Sequence, residues 1–212
     1  MAAAVAAEEL HALLMGPVGI ILYELWSKSS YMISVDAVSK FKLAHTFPLD
    51  TTTTIPQMAV RLPSFRFVVQ DLPEGIAEAP KDKNPRVEFQ AHDFFTEQPV
   101  KGADIFILRQ IMHDWSDKYC RQILQDLIPA LKPGARIVLN EQVLPTPNTV
   151  SKYQERIQRH LDLLMWRLFN GKERDEDDWR SLVERTDRRF KVTQTIRAQG
   201  SDLQIIEVTW QG

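Results

Sequence analysis

Residues 104–142 read DIFILRQIMHDWSDKYCRQILQDLIPALKPGARIVLNEQ, and the fold is most legible here. The stretch opens on a nearly continuous apolar run, residues 104–108, of the kind a strand buried on both faces requires. A second such run, residues 136–140, lies near its end. Between them Ile123, Leu124, Leu127 and Leu131 recur at helical spacing. Ser116 stands where a helix N-cap belongs, and Pro133-Gly134 ends the helix. Strand, helix and strand in this order predict an α/β sheet.

The pattern continues outward in both directions. Upstream, residues 65–70 (FRFVVQ) form a strand that ends at Asp71-Leu72-Pro73, and residues 87–91 form a shorter one. Downstream, residues 151–169 predict a helix with Ile157, Leu161, Leu164, Met165 and Leu168 on one face. A short helix over residues 175–184 is capped by Asp175. Two final strands, residues 190–197 and 203–210, are joined by a turn at Gly200-Ser201. The expected sheet is mostly parallel with an antiparallel terminal hairpin. Residues 1–50 are poorly patterned and are taken as an N-terminal helical segment. Residues 51–64, with Thr51 to Thr54 and Pro56, lead into a catalytic domain spanning 51–212.

Composition narrows the function. The 212 residues are 44% hydrophobic and 25% charged with a net charge of −2, which suits a globular domain. There is no basic run, so no nucleic-acid partner is expected. Cys120 is the single cysteine, which excludes an internal disulfide and fits a reducing compartment, the cytoplasm. Glu8 and Glu9 follow the apolar start with no basic segment before it, so a secretory leader is not expected. The apolar run 13–25 is broken by Gly16, Pro17, Gly19 and Glu24, so no membrane partner is expected either. No metal site is predicted.

His113 follows a buried strand at its C-terminal end, the edge where open α/β sheets bind ligands. A histidine there can act as a general base near neutral pH. Glu141 lies at the end of the next strand, and a carboxylate near an imidazole can fix its tautomer. On these residues alone, a surface histidine that merely ends a strand remains the alternative.

His113-Asp114-Trp115-Ser116-Asp117, Leu131-Lys132-Pro133-Gly134 and Glu141 occur in order with three further motifs. These are Val68-Val69-Gln70-Asp71-Leu72-Pro73, Asp93-Phe94-Phe95 (with His92 where a glycine is usual) and Asn170-Gly171-Lys172-Glu173-Arg174. The ordered set resembles the plant and fungal S-adenosylmethionine-dependent O-methyltransferases related to caffeic acid O-methyltransferase. The resemblance covers roughly residues 55–210 and implies a class I methyltransferase-like Rossmann sheet. It implies methyl transfer to the hydroxyl of a small aromatic or polyketide-like metabolite. It makes His113 the base, with Glu141 and Glu173 flanking and orienting its imidazole. It puts Asp71 on the cofactor ribose, Asp93 and Phe94 at the adenine, and Arg109 near the cofactor. Asp114 and Met165 would face the substrate. The family is homodimeric through an N-terminal domain, of which residues 1–50 would be a remnant.

The resemblance breaks ahead of residue 65. The family has a strand and an Asp-Val-Gly-Gly-Gly-x-Gly loop, whose glycines let the backbone approach the cofactor. This chain has Phe47-Pro48-Leu49-Asp50, Thr51 to Thr54, Ile55 and Pro56. The first strand and glycine loop are therefore read as incomplete, and cofactor binding as weak or absent. Two other readings follow: a non-catalytic homologue or partner protein, and a cofactor-independent pericyclase-like enzyme.

Overall fold

The structure, a computed structural model, describes residues 31–37, 64–77, 79, 84–197 and 203–212. In chain order the elements are β1 (Tyr31–Ala37), β2 (Phe65–Asp71), α1 (Pro73–Ala77), β3 (Val87–Ala91) and β4 (Ile105–Arg109). A 3-10 turn (Met112–Asp114) and α2 (Asp117–Leu127) follow, with a second 3-10 turn (Ile128–Ala130) extending the helix. Then come β5 (Arg136–Gln142), α3 (Lys152–Phe169), α4 (Glu176–Thr186), β6 (Phe190–Arg197) and β7 (Leu203–Trp210). The threonine run 51–54 and the turn at 200–201 lie outside the described residues.

The seven strands form one sheet in the order β3-β2-β1-β4-β5-β7-β6. The pairs β2–β3 and β4–β5 are parallel, and β7 runs antiparallel to both β5 and β6, as the terminal hairpin predicts. The centre departs from expectation. Residues 31–37 were placed in a helical segment; they form β1, which is antiparallel to both β2 and β4. Tyr31, Ile33 and Val35 alternate with other residues and favour extended backbone, a period-two signal that overrides the helical reading.

Register sets which strand ends share an edge. Met32 pairs with Gln70 on one side and with Leu108 on the other, so the C-terminal ends of β2 and β4 are level. The pairs Asp71–Ala91 and Arg109–Asn140 carry that edge across β3 and β5. The last residue of β1, Ala37, pairs with Phe65 at the opposite edge.

The core forms where one face of the sheet meets α2 and α4. Phe106, Leu108, Ile137, Leu139, Ile206 and Val208 meet Ile123, Leu124 and Leu127 of α2 and Trp179, Leu182 and Val183 of α4. Each fully buried aliphatic side chain contributes about 1.5–3 kcal/mol by leaving water. Residues 105–108 are all buried, as a strand covered on both faces requires.

The apolar face expected for α3 is covered except at its C-terminal end. Met165 is its buried residue, and Leu168 is 51% exposed beside exposed Leu163, Trp166 and Phe169. The helix touches the Met112–Asp114 turn, and Ile157, Leu161 and Leu164 of the same face are half-buried.

Candidate active site

The chain leaves β4 through Gln110, a buried residue with φ of 50°. The left-handed region costs a non-glycine residue on the order of 1 kcal/mol, so the bend is enforced by its surroundings. The Gln110 N–H donates to the Asn140 carbonyl at 3.1 Å. The bend turns the N–H groups of Ile111 and Met112 onto Glu141 Oε1, each at 2.9 Å. Glu141 is fully buried and makes no hydrogen bond to His113. Its charge nonetheless acts on the His113 imidazole. Lying one residue beyond Asn140 in β5, it meets the bend itself and satisfies N–H groups that a short helical turn leaves unpaired.

His113 is 8% exposed. Its Nδ1 lies 3.0 Å from Glu173 Oε1, and its Nε2 lies 3.4 Å from Asp114 Oδ1. Glu173 is buried and its own N–H donates to Asp162 of α3 at 2.9 Å. A loop with two close fits carries it there. Asn170 ends α3 in the left-handed conformation, and the Gly171 N–H donates to the Met165 carbonyl at 3.2 Å. The Lys172 N–H donates to the His113 carbonyl at 3.0 Å. A Cβ on Gly171 would overlap that carbonyl oxygen, so only glycine lets the loop press this close.

Burial works against a charged imidazole at His113. The hydrogen bond to Glu173 and the charges of Glu141, Glu173 and Asp114 outweigh it and push the group up to about 9. Burial pushes the Glu141 carboxyl up to about 7 against the opposing pull of His113 and two backbone N–H groups.

The other expected residues lie along the same edge. Asp71 ends β2, its Oδ1 accepting the Leu72 N–H at 2.7 Å. Gly75 packs closely on that carboxylate, so a Cβ there would push the Asp71 side chain aside. Asp93, two residues past β3, accepts the Phe95 N–H at 2.9 Å. Phe94 joins Phe95, Trp115 and Tyr119 in a ring cluster, with centroids 6.2 Å apart for Phe94–Trp115 and 4.7 Å for Phe95–Trp115. The cluster ties the Asp93 loop to the residue after Asp114. Buried Gln70 and Gln98 exchange amide hydrogen bonds at 2.9 Å and anchor the same loop on β2. Arg109 is the half-buried last residue of β4. Met165 is 7% exposed and sits over the Glu173 loop.

Arg174 was quoted only as part of a motif, yet it is among the most deeply buried side chains. In a run of charges it reads as a solvated residue. The available signal is Trp179 five residues on, whose ring lies 5.0 Å from the guanidinium. Among the described residues no group of His, Cys, Asp and Glu could hold a metal ion, and no helix is long and apolar enough to cross a membrane.

The family model described as "O-methyltransferase domain" matches residues 51–187. The O-methyltransferase kk1A of Curvularia clavata is 46% identical over 153 residues, covering 71% of this chain and 36% of that protein. The chlorophenol O-methyltransferase of Trichoderma longibrachiatum is 41% identical over 160 residues, covering 73% and 34%. The chain thus spans about a third of the length of these relatives. Among solved structures, OxaC in complex with SAH and oxaline is 27% identical with a TM-score of 0.62, covering 73% of this chain and 39% of that one. LepI in complex with SAM shares the fold at 21% identity and a TM-score of 0.65, covering 96% and 55%. An imidazole held by a buried glutamate at the carboxyl edge of a Rossmann-like sheet, together with these matches, makes the chain a member of the S-adenosylmethionine-dependent O-methyltransferase family.

Proposed function

We propose that this chain carries the base of an O-methyltransferase site whose acceptor is a hydroxyl of a small phenolic or polyketide-like molecule. The carrying observation is the 3.0 Å contact between His113 Nδ1 and buried Glu173. With a proton on Nδ1 directed at the carboxylate, Nε2 is the nitrogen that accepts the hydroxyl proton, and the freed oxygen becomes the nucleophile. Asp114, 3.4 Å from Nε2, would meet the same hydroxyl. Glu141 holds the turn that carries the imidazole. The name of the chlorophenol enzyme supports a phenolic acceptor.

S-adenosylmethionine, the family's cofactor, supplies an electrophilic methyl group when bound. The residues present fit one end of it. Asp71 offers carboxylate oxygens to ribose hydroxyls, and Asp93 and Phe94 border the adenine, with Arg109 nearby on the edge. For the methionine end the sequence lacks the family's glycine loop, and the residues in its place lie outside the described ones. Among the described residues the glycines with positive φ are Gly102 and Gly134, which precede β4 and β5 at the far edge. In sequence the glycine loop is replaced by Thr51 to Thr54. Each lost backbone contact removes about 0.5–1.5 kcal/mol, so binding weaker than micromolar is expected. That observation favours a second reading, a homologue that no longer transfers methyl groups.

Calorimetric titration with S-adenosylmethionine and a methyl-transfer assay on a phenol panel at saturating cofactor separate the two. In the first reading turnover is detectable, rises with pH toward about 9 as the His113 imidazole loses its proton, and falls on the order of 10²–10⁴-fold in His113→Ala. Turnover unchanged in that variant would remove His113 as the base. No turnover at saturation would leave the second reading.

A further inference from the structure

Arg174 has no place in the chemistry above, yet its surroundings are unusually complete. Its guanidinium is fully buried and every N–H it carries has an acceptor. Nε donates to Asp117 Oδ1 at 3.1 Å, and one terminal nitrogen reaches the same oxygen at 2.9 Å. That nitrogen also donates to the Trp115 carbonyl at 2.9 Å and lies 3.5 Å from Cys120 Sγ. The other donates to the carbonyls of Met112, at 3.1 Å, and Lys172, at 3.2 Å. Met112 and Trp115 bracket His113-Asp114 in the chain. The single proton of the Cys120 thiol has the same two carbonyls within reach, at 3.1 and 3.3 Å. The next residue back, Glu173, holds the imidazole itself.

We propose that Arg174 is the positioning residue of the base: its planar fork fixes both ends of the turn bearing His113 relative to the loop bearing Glu173. The proposal rests on the reading of His113 as the base. Two neighbouring residues of one loop grip the turn at different levels, Glu173 at the ring and Arg174 at the backbone on either side. A flexible ammonium cannot reproduce a rigid fork that serves three carbonyls and a carboxylate together. Lysine at this position keeps the charge and loses the geometry, which separates positioning from electrostatics. The carboxylates that face the imidazole, Glu141, Glu173 and Asp114, are unchanged by that substitution.

The test is a titration of the His113 ring followed by NMR, with the signal assigned by its absence in His113→Gln. In the unaltered protein the midpoint is expected near 9. In Arg174→Lys, with fold checked by circular dichroism, the midpoint should fall by at least about one pH unit toward the ordinary histidine value as the bond to Glu173 loosens. Asp117→Asn, altering a partly exposed partner of the same fork, should give a smaller fall in the same direction, and it serves if Arg174→Lys does not fold. A merely structural arginine would lower the melting temperature and leave the midpoint of a folded variant in place. An unchanged midpoint in folded Arg174→Lys, or in Asp117→Asn where the lysine variant is unfolded, overturns the proposal. Methyl transfer retained by His113→Gln would instead sink the reading of the base and leave the midpoint result standing.

Discussion

His113 binds its proton more tightly in the folded chain than an unfolded histidine would, because buried carboxylates surround it. Its folded midpoint near 9 lies above the unfolded value of 6.5. The stabilisation it lends is therefore complete below about pH 6.5 and is lost as pH rises through 9, with a size of about 3 kcal/mol. Glu141, pushed up to about 7 from 4.5, acts in the same direction at lower pH, since its favoured proton leaves between those values. The melting temperature should therefore fall between pH 6.5 and 9, and His113→Gln should flatten the fall over that window. An identical slope in both proteins would show that the imidazole gains nothing from its neighbours. At this scale the sequence disclosed residue types better than partners. His113 and Glu173 meet as the motifs imply. Glu141 acts on the imidazole through its charge, and strand register also delivers its carboxylate to the N–H groups of the turn, which the residue type alone does not disclose. Arg174 was hidden because nothing in a one-dimensional run of charges distinguishes a guanidinium that folding will enclose.

The helices show how far local pattern carries. Ser116, Ser151 and Asp175 were each read as a helix start. Ser151 accepts the Gln154 N–H at 3.2 Å and Gln154 reaches back to the Ser151 N–H, a reciprocal cap. Asp175 accepts the Asp178 N–H at 2.8 Å. Ser116 occupies the right position with extended backbone, but its side chain makes no capping bond. Ser151→Ala should therefore cost about 1 kcal/mol in urea unfolding. Ser116→Ala should change stability by less than about 0.5 kcal/mol. Equal costs would mean that backbone position, not the side-chain bond, is what the serine supplies. The α3 face holds through Met165 and is exposed at Leu168. Spacing reports which residues share a side of a helix, but whether anything lies against that side depends on the approach angle of elements distant in sequence.

Across the whole molecule, the strand–helix alternation from residue 65 onward was legible because buried strands and amphipathic helices have distinct periods. Neither β1 nor its direction was, since residues 31–37 sit in a poorly patterned segment and a strand's apolar pattern reads the same from either end. That strand carries a consequence for how the sheet comes apart. β2 and β3 form one ladder, β4, β5, β7 and β6 form another, and β1 is the strand that hydrogen-bonds to both. Detaching this one seven-residue segment would leave the two ladders without shared backbone bonds. The larger block holds most of the helix-backed apolar cluster, while β2 and β3 contribute none of its buried members. The chain should then open in two stages rather than one. Amide deuterium uptake measured by mass spectrometry should be faster in residues 65–71 and 87–91 than in residues 136–142 and 203–210. Matching uptake rates would mean that the seam never parts ahead of global unfolding.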